Sequence, residues 1–175
     1  MGFRIPDPER LPEFYRPYVE SLSDGDVPSL LAQGRSRMTN LLQSTEKKLF
    51  TTSYEPGKWT LAQVIRHVID SEMVFMYRAL TMSRRDATPL PSFDENAWAQ
   101  SSLDNPLHLK PEILLNDYLL VRNLSIHLLG RMTDEELFFR GRVNNFETCA
   151  NDLAFFILGH ELHHLQIIHH RYIKS

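Results

Sequence analysis

Residues 159–170 have the sequence GHELHHLQIIHH and carry five of the eight histidines of the chain. They belong to a longer segment whose apolar and aromatic side chains recur every three to four residues, which predicts an α-helix. His160 and His164 are four residues apart, so both rings project from one face of that helix, about one turn from each other. Two neutral imidazoles in this arrangement can hold a divalent metal ion, which would satisfy both buried rings at once. The segment therefore predicts a helix that supplies two ligands of a metal site.

A third ligand is expected from another helix, because helix bundles build metal sites from side chains on facing helices. His67 is the strongest candidate, since it lies in an apolar stripe beside Val64 and Val68. A single histidine on an apolar face is more commonly a neutral core ring with one hydrogen-bond partner. In combination with His160 and His164, the metal site is the favoured interpretation.

The segment also fits the H-E-x-x-H pattern of zinc peptidases, in which the glutamate acts as general base. His170 stands where a third metzincin histidine would follow, but Ile167 occupies the position at which those enzymes need a glycine to turn the chain. If the helix continues, His170 lies about 80° around and about 15 Å along the axis from His160, too far to bind the same ion. No acidic residue follows His164. The sequence thus disfavours a peptidase, and we expect His169 and His170 to be structural or surface residues.

Further helices are predicted along the chain, and no segment shows the alternation of a strand. Thr60 is expected to cap the second helix in a capping box with Gln63, and Thr133 starts a second such box. The predicted helices extend from about Ser29 to Phe50, from Thr60 through Leu80, from Pro111 to about Met132, from Thr133, and from Thr148 to about Ile173. The inward face of the second helix is expected to carry Leu61, Val64, Ile65, Val68, Ile69, Met73, Met76 and Leu80.

These elements predict an all-α protein, a four-helix bundle with one long loop after its second helix. A proline-rich arm is expected at residues 1–28, with a short turn at 13–22, and the bundle at 29–175. Residues 88–104 are predicted to form a long irregular loop, whose Phe93 and Trp98 could cover a pocket or fill a satellite core. Residues 141–147 are expected to be a simple connector.

Composition narrows the function classes. The apolar fraction of 42% and the charged fraction of 23% are typical of a globular domain, and a net charge of −3 offers no basic surface for nucleic acid. Cys149 is the only cysteine, so an intramolecular disulfide and a cysteine-based zinc site are excluded. The proline-rich N-terminus does not resemble a secretory signal, and the apolar runs are too short for a bilayer. A cytoplasmic protein that acts on a small molecule is the expectation.

Six motifs occur in order along the chain: Trp59-Thr60, His67, Asp70-Ser71-Glu72, Tyr77-Arg78-Ala79-Leu80, Pro89-Leu90-Pro91-Ser92-Phe93-Asp94 and Gly159-His160-Glu161-Leu162-His163-His164. In the order and spacing of these motifs, the chain resembles the DinB/YfiT-like superfamily from roughly Ser29 to Tyr172. The resemblance implies a four-helix bundle, often a homodimer, that holds nickel or zinc by three histidines, here His67, His160 and His164.

The resemblance leaves three functions open, which are thiol transfer, hydrolysis and metal or ligand binding without catalysis. The superfamily includes transferases of low-molecular-weight thiols such as bacillithiol or mycothiol, a mycothiol-dependent isomerase, and proteins classed as metal-dependent hydrolases. Transfer of a small thiol to an electrophile is the first expectation, because an open three-histidine site on zinc or nickel binds and ionises thiols. Hydrolysis by metal-bound hydroxide is the second, and a non-catalytic metal or ligand binder is the third.

Other polar residues near these motifs are weaker candidates for roles at the site. Glu72 could reach the rim of the site or orient a ligand histidine, or it could be a solvated charge. Arg78 could bind a substrate carboxylate, although a structural pair with Asp70, Glu72 or Asp94 is the favoured interpretation. His163 could line the site. Glu161 is expected to anchor a neighbouring helix rather than to act as a base.

Overall fold

The computed structural model describes residues 2–23 and 25–173. Met1 and Asp24 of the predicted arm, and Lys174 and Ser175 at the end of the predicted bundle, lie outside the described residues. Seven α-helices form within the described part of the chain: α1 Arg16–Glu20, α2 Val27–Ser44, α3 Leu61–Ser83, α4 Glu95–Ser101, α5 Pro111–Leu129, α6 Asp134–Phe138 and α7 Ala150–Ile168.

The four long helices form the bundle that the sequence predicts. Helix α3 packs against α7 and α5, and α2 packs against α5 and α7. Helices α2 and α3, although consecutive in the chain, therefore stand at opposite corners. This arrangement places α3 and α7, which carry the candidate histidines, side by side.

The helix starts follow the capping chemistry that the sequence predicts. The Thr60 hydroxyl accepts a hydrogen bond from Gln63 N at 3.3 Å, and Thr60 N donates to Gln63 Oε1 at 2.9 Å. Thr133 and Glu136 form the second capping box. Each box satisfies two backbone N–H groups that have no partner within the helix, which fixes where α3 and α6 begin.

Two predicted helix ends are wrong, and the last helix reaches its predicted end with a different helical geometry. The first helix ends at Ser44 rather than Phe50, because the Thr45 hydroxyl donates to Leu41 O at 2.7 Å and the chain turns extended before a 3-10 turn at Lys47–Thr51. Helix α5 ends at Leu129, three residues before Met132. The last helix keeps α-helical geometry to Ile168 and continues as a π-helical turn at His169–Ile173.

The predicted loop and connector also contain regular structure. Asp94 Oδ1 accepts hydrogen bonds from Asn96 N and Ala97 N at 3.0 Å, which starts α4 inside the predicted irregular loop. The connector is an antiparallel hairpin of β1 Gly141–Val143 and β2 Phe146–Thr148. Strands of three residues are too short to show alternation, and the turn depends on Asn144, which has a φ of 51°.

The inward face of α3 differs from the prediction at two positions. Met73 and Leu80 are 54% and 36% exposed. They lie one residue beyond Glu72 and Ala79, which are buried, and one residue rotates the side chain by about 100°. The buried residues of the predicted face are Leu61, Val64, Ile65, Val68, Ile69 and Met76.

The N-terminal segment packs against the middle of α7. Tyr15 stacks on Phe156 with ring centroids 4.1 Å apart, and Val19 is buried. Gly159 permits the close approach of α1, because a Cβ there would overlap the Tyr18 carbonyl. The division of the chain at residue 28 stays a prediction. Among the described residues, no helix is both long and apolar enough to cross a lipid bilayer.

Candidate metal centre

Three histidine side chains converge between α3 and α7. His67 Nε2 lies 3.0 Å from His160 Nε2, and His164 Nε2 lies 3.1 Å from the same atom. The three nitrogen atoms all lie within 4.8 Å of one another. His160 and His164 share a face because they are one turn apart, and His67 reaches them because α3 packs on α7. The structure thus brings together all three residues that the sequence singles out.

All three rings are buried, and burial keeps them neutral. Burial lowers the pKa of His67 to about 4 and that of His164 to about 3. Burial, with the neighbouring imidazoles, lowers the pKa of His160 well below its ordinary value. A neutral imidazole has one nitrogen lone pair free for a metal, so these shifts favour ligation at neutral pH.

The hydrogen bonding of the rings is incomplete. His67 Nδ1 lies 3.4 Å from Ser71 Oγ, which leaves Nε2 to face the other rings. His164 Nδ1 is buried without a hydrogen-bond partner among the described residues. Three neutral nitrogen atoms that face one another cannot all be satisfied by sharing protons, whereas one cation satisfies them together.

The separations also fit a metal ion. Nitrogen ligands of a tetrahedral zinc lie about 3.4 Å from one another, because each Zn–N bond is about 2.1 Å. The two closest separations here, 3.0 and 3.1 Å, are near that value. The residues present therefore fit a divalent ion bound by His67, His160 and His164.

Aromatic rings enclose the cluster. The Tyr18 ring lies 5.6 Å from His160, Phe75 lies 6.0 Å from the same ring, and Trp59 lies 5.0 Å from His67. Tyr18 comes from α1, so the N-terminal segment forms one wall of the site. Burial raises the pKa of Tyr18 to about 12, and its hydroxyl is therefore neutral at physiological pH.

Glu95, which was not predicted from the sequence, also lies at this site. Its carboxylate lies 3.9 Å from His67 Nε2, and its side chain is 57% exposed. Glu95 is the first residue of α4 and also borders a cavity of about 510 Å³ that Arg78 lines as well. No local pattern marks Glu95, because its position depends on the path of the loop that carries α4.

Glu72 and Glu161 belong to a different buried cluster. Arg122 donates to Glu72 Oε2 at 2.7 Å and to Glu161 Oε2 at 2.5 Å, and the Tyr118 hydroxyl donates to Glu161 at 2.7 Å. Glu72 is therefore not a solvated charge, does not lie on the site rim and does not orient a ligand histidine, because both of its oxygen atoms accept from Arg122. The expectation that Glu161 anchors a neighbouring helix is confirmed, and its ion pair with Arg122 also removes it as the base of a peptidase.

Arg122 was missed although the sequence contains a signal for it. It stands in line with Leu114, Tyr118 and Leu129 on the inward face of α5, and it is 0% exposed. An arginine within an apolar stripe predicts a buried partner of opposite charge. Burial lowers the pKa of Arg122, but the two carboxylates outweigh burial. The pKa of Arg122 is therefore raised well above its ordinary value.

The remaining candidates have different surroundings. His163 is exposed and packs 5.5 Å from Tyr18, outside the three-histidine cluster. Arg78 does not pair with Asp70, Glu72 or Asp94 as favoured from the sequence; it donates to Pro91 O at 2.8 Å instead. His169 and His170 are exposed, as expected.

Comparison with known proteins agrees with this architecture. The sequence profile of the DinB superfamily matches residues 30–168. The chain belongs to the DinB superfamily. It is 28% identical over 134 residues to a protein of Oceanobacillus iheyensis, covering 74% of each chain, and 27% identical over 155 residues to one of Geobacillus kaustophilus, covering 87% of this chain and 84% of that protein. Both relatives are named as candidate metal-dependent hydrolases.

A solved structure shares the fold of this DinB superfamily member. YfiT from Bacillus subtilis, described as a probable metal-dependent hydrolase with an unusual four-helix bundle topology, superposes with a TM-score of 0.72. The match covers 86% of this chain and 87% of YfiT at 22% sequence identity. The bundle architecture and the superfamily expected from the sequence are therefore confirmed.

Proposed function

We propose that this protein is a metal-dependent enzyme whose divalent ion is bound by His67, His160 and His164, and that it hydrolyses a small-molecule substrate. The observation that carries the proposal is the convergence of three buried, neutral imidazoles on one point. Three histidines with positions left open are typical of catalytic rather than structural zinc sites. Such an ion supplies Lewis acidity to a bound oxygen or sulfur atom.

Glu95 favours hydrolysis among the reactions that the ion could support. Its carboxylate lies 3.9 Å from His67 Nε2 and is partly exposed, so it is placed to accept a proton from a water molecule at the mouth of the site. The names of the relatives from Oceanobacillus iheyensis and Geobacillus kaustophilus also support hydrolysis. Zinc and nickel are the proposed ions because imidazole suits both.

Transfer of a low-molecular-weight thiol is the second candidate function. The cavity beside Glu95 has a volume of about 510 Å³, enough for a cosubstrate next to the ion. The thiol would come from solution, because Cys149 is buried and burial raises its pKa to about 12. A homodimeric assembly and a cytoplasmic location remain predictions.

The test compares both activities in the zinc-loaded and nickel-loaded protein. Turnover of a panel of esters and amides is measured, together with thiol-dependent loss of 1-chloro-2,4-dinitrobenzene. We expect hydrolysis that disappears in His67→Ala and falls roughly 100-fold or more in Glu95→Gln, as for loss of a general base. Glu55→Gln, which changes an exposed turn residue, is the matched control and should keep full activity.

The results separate the candidate functions. Turnover that requires an added thiol, is lost in His67→Ala and is retained in Glu95→Gln would replace hydrolysis by thiol transfer. Hydrolysis that survives in His67→Ala would contradict the metal-dependent proposal. Stoichiometric metal binding with neither activity in either metal form would contradict an enzymatic role and favour a binding protein.

A further inference from the structure

Arg78 is a buried cation whose ordinary counter-charge is missing. The residue is 4% exposed, yet within residues 2–23 and 25–173 no carboxylate lies within ion-pairing distance of its guanidinium. Its hydrogen-bond partner is neutral, because it donates to Pro91 O at 2.8 Å. Arg122, the other buried arginine of the bundle, is instead bound by two carboxylates.

An unpaired buried guanidinium is energetically unfavourable. Burial lowers the pKa of Arg78, but a guanidinium stays protonated in proteins, so the positive charge remains in a poorly solvated place. An anionic ligand would offset this cost with charge-assisted hydrogen bonds. The same surroundings would not stabilise a neutral ligand to a comparable degree.

Arg78 borders the cavity of about 510 Å³ that Glu95 also lines. Four aromatic side chains line it, and these are Phe14, Tyr15, Phe93 and Phe146. The Arg78 guanidinium lies 6.0 Å from the centre of the Phe93 ring. The cavity thus combines apolar walls, one buried cation and the carboxylate of Glu95, which lies 3.9 Å from His67 Nε2.

We infer that this cavity binds a small molecule that has a carboxylate on an apolar or aromatic body, with the carboxylate on Arg78 and the rest of the molecule directed toward Glu95 and His67. The orientation rests on the proposed function, because it assumes that the reacting bond faces the metal. Binding of the carboxylate to Arg78 does not rest on the proposed function, because Arg78 lies outside the histidine cluster. The cavity of about 510 Å³ lies within the usual range for small-molecule sites.

The test measures binding rather than turnover. Wild-type protein is titrated by calorimetry with 3-phenylpropanoate and with 3-phenylpropanamide, which differ in charge and little in shape. We expect the carboxylate to bind roughly 10- to 100-fold more tightly, as for a hydrogen bond to a charged group. Equal affinities, or tighter binding of the amide, would overturn the inference, and this result does not depend on the folding of any variant.

Two matched variants locate the preference. Arg78→Gln retains an amide that can donate to Pro91 O, and it should abolish the difference between the two ligands. Arg84→Gln removes an arginine six residues further on, at the exposed end of α3, and should preserve the difference. Loss of the preference in Arg84→Gln, or its survival in Arg78→Gln, would overturn the inference.

A third variant separates this inference from the proposed function. A carboxylate could also bind a metal ion directly, so the titrations are repeated in His160→Ala. We expect the preference for the carboxylate to persist there, because Arg78 remains. A preference that disappears in His160→Ala and survives in Arg78→Gln would place the carboxylate on the ion and overturn the inference. Failure to detect hydrolysis leaves these binding results unaffected.

Discussion

Two polar clusters lie within the same bundle and differ in how completely their groups are satisfied. In the first, Arg122 binds Glu72 and Glu161, and Tyr118 donates to Glu161, so every charge has a partner. In the second, three imidazoles face one another and His164 Nδ1 has no hydrogen-bond partner among the described residues. His160 and Glu161 are adjacent on α7, and the rotation of about 100° between them directs one to each cluster.

The difference distinguishes a structural network from a candidate site. A buried network with complete hydrogen bonds and paired charges contributes to the fold and needs no ligand. A buried cluster that gathers lone pairs without enough protons is costly unless a ligand completes it. The first cluster should therefore govern stability, and the second should govern metal binding.

The largest effect expected from a single substitution is the loss of stability when Arg122 is replaced. Arg122→Met leaves two carboxylates buried without a counter-charge, and we expect a loss of about 3–5 kcal/mol in the free energy of unfolding, measured with urea. His160→Ala in the metal-free protein should cost less than half as much. A larger loss in His160→Ala would reverse the roles assigned to the two clusters.

The histidine cluster should make the metal-free protein sensitive to acid. The pKa of His67 is lowered to about 4 and that of His164 to about 3, whereas both are about 6.5 in the unfolded chain. The unfolded chain therefore binds more protons between about pH 6.5 and 3, and stability should fall as the pH falls through that window.

The measurement for this effect is a series of urea unfolding curves between pH 7 and 4. Each unit of pKa difference corresponds to about 1.4 kcal/mol. The double variant His67→Gln/His164→Gln should lose distinctly less stability than wild type over this range. Parallel curves for the two proteins would show that these rings are not neutral in the fold.

A smaller effect is expected at Gly34, where α2 approaches the ion-pair network. A Cβ at this position would overlap Glu161 Oε1 and lie 2.8 Å from Arg122 Nη1. Gly34→Ala should therefore destabilise the protein by about 1–3 kcal/mol through overpacking. Ser36→Ala, an exposed change on the same helix, is the control and should be nearly neutral. A stabilising Gly34→Ala would show that the network has room to shift.

Features that depend on the spacing of residues within one helix could be predicted from the sequence. The pairing of His160 with His164 and the capping boxes at Thr60 and Thr133 depend on local spacing within one helix, which the sequence contains directly. His67 was found because a histidine within an apolar stripe must face the core. The helices against which that stripe packs are determined by tertiary contacts, which local spacing does not show.

The residues that were missed or given a wrong partner depend on contacts between distant parts of the chain. Glu95 reaches His67 only because the loop after α3 folds back over the bundle, and the capping of α4 by Asp94 does not predict that path. Arg78 was assigned a structural carboxylate partner because three candidates lie nearby in sequence. Two of these acids are bound elsewhere, Asp70 by Arg66 at 3.4 Å and Glu72 by Arg122.

The smallest expected effect concerns the orientation of His67. Ser71 Oγ lies 3.4 Å from His67 Nδ1, a long hydrogen bond, so Ser71→Ala should weaken metal affinity by only about tenfold, the lower end for such partners. Ser83→Ala is the control, since Ser83 is buried on the same helix and donates to Leu80 O. Competition with a chelator measures the metal affinity of both variants. An equal effect of the two changes would show that Ser71 has no role at the metal site.

The central claim is that His67, His160 and His164 bind one divalent ion. Metal content per folded chain tests it most directly, measured in untagged wild type, His160→Ala and His169→Ala after exposure to zinc and gel filtration. His169 is exposed beside the site helix and serves as the matched control. We predict about one ion per chain in wild type and in His169→Ala, and almost none in His160→Ala. Equal metal content in all three proteins would contradict the account.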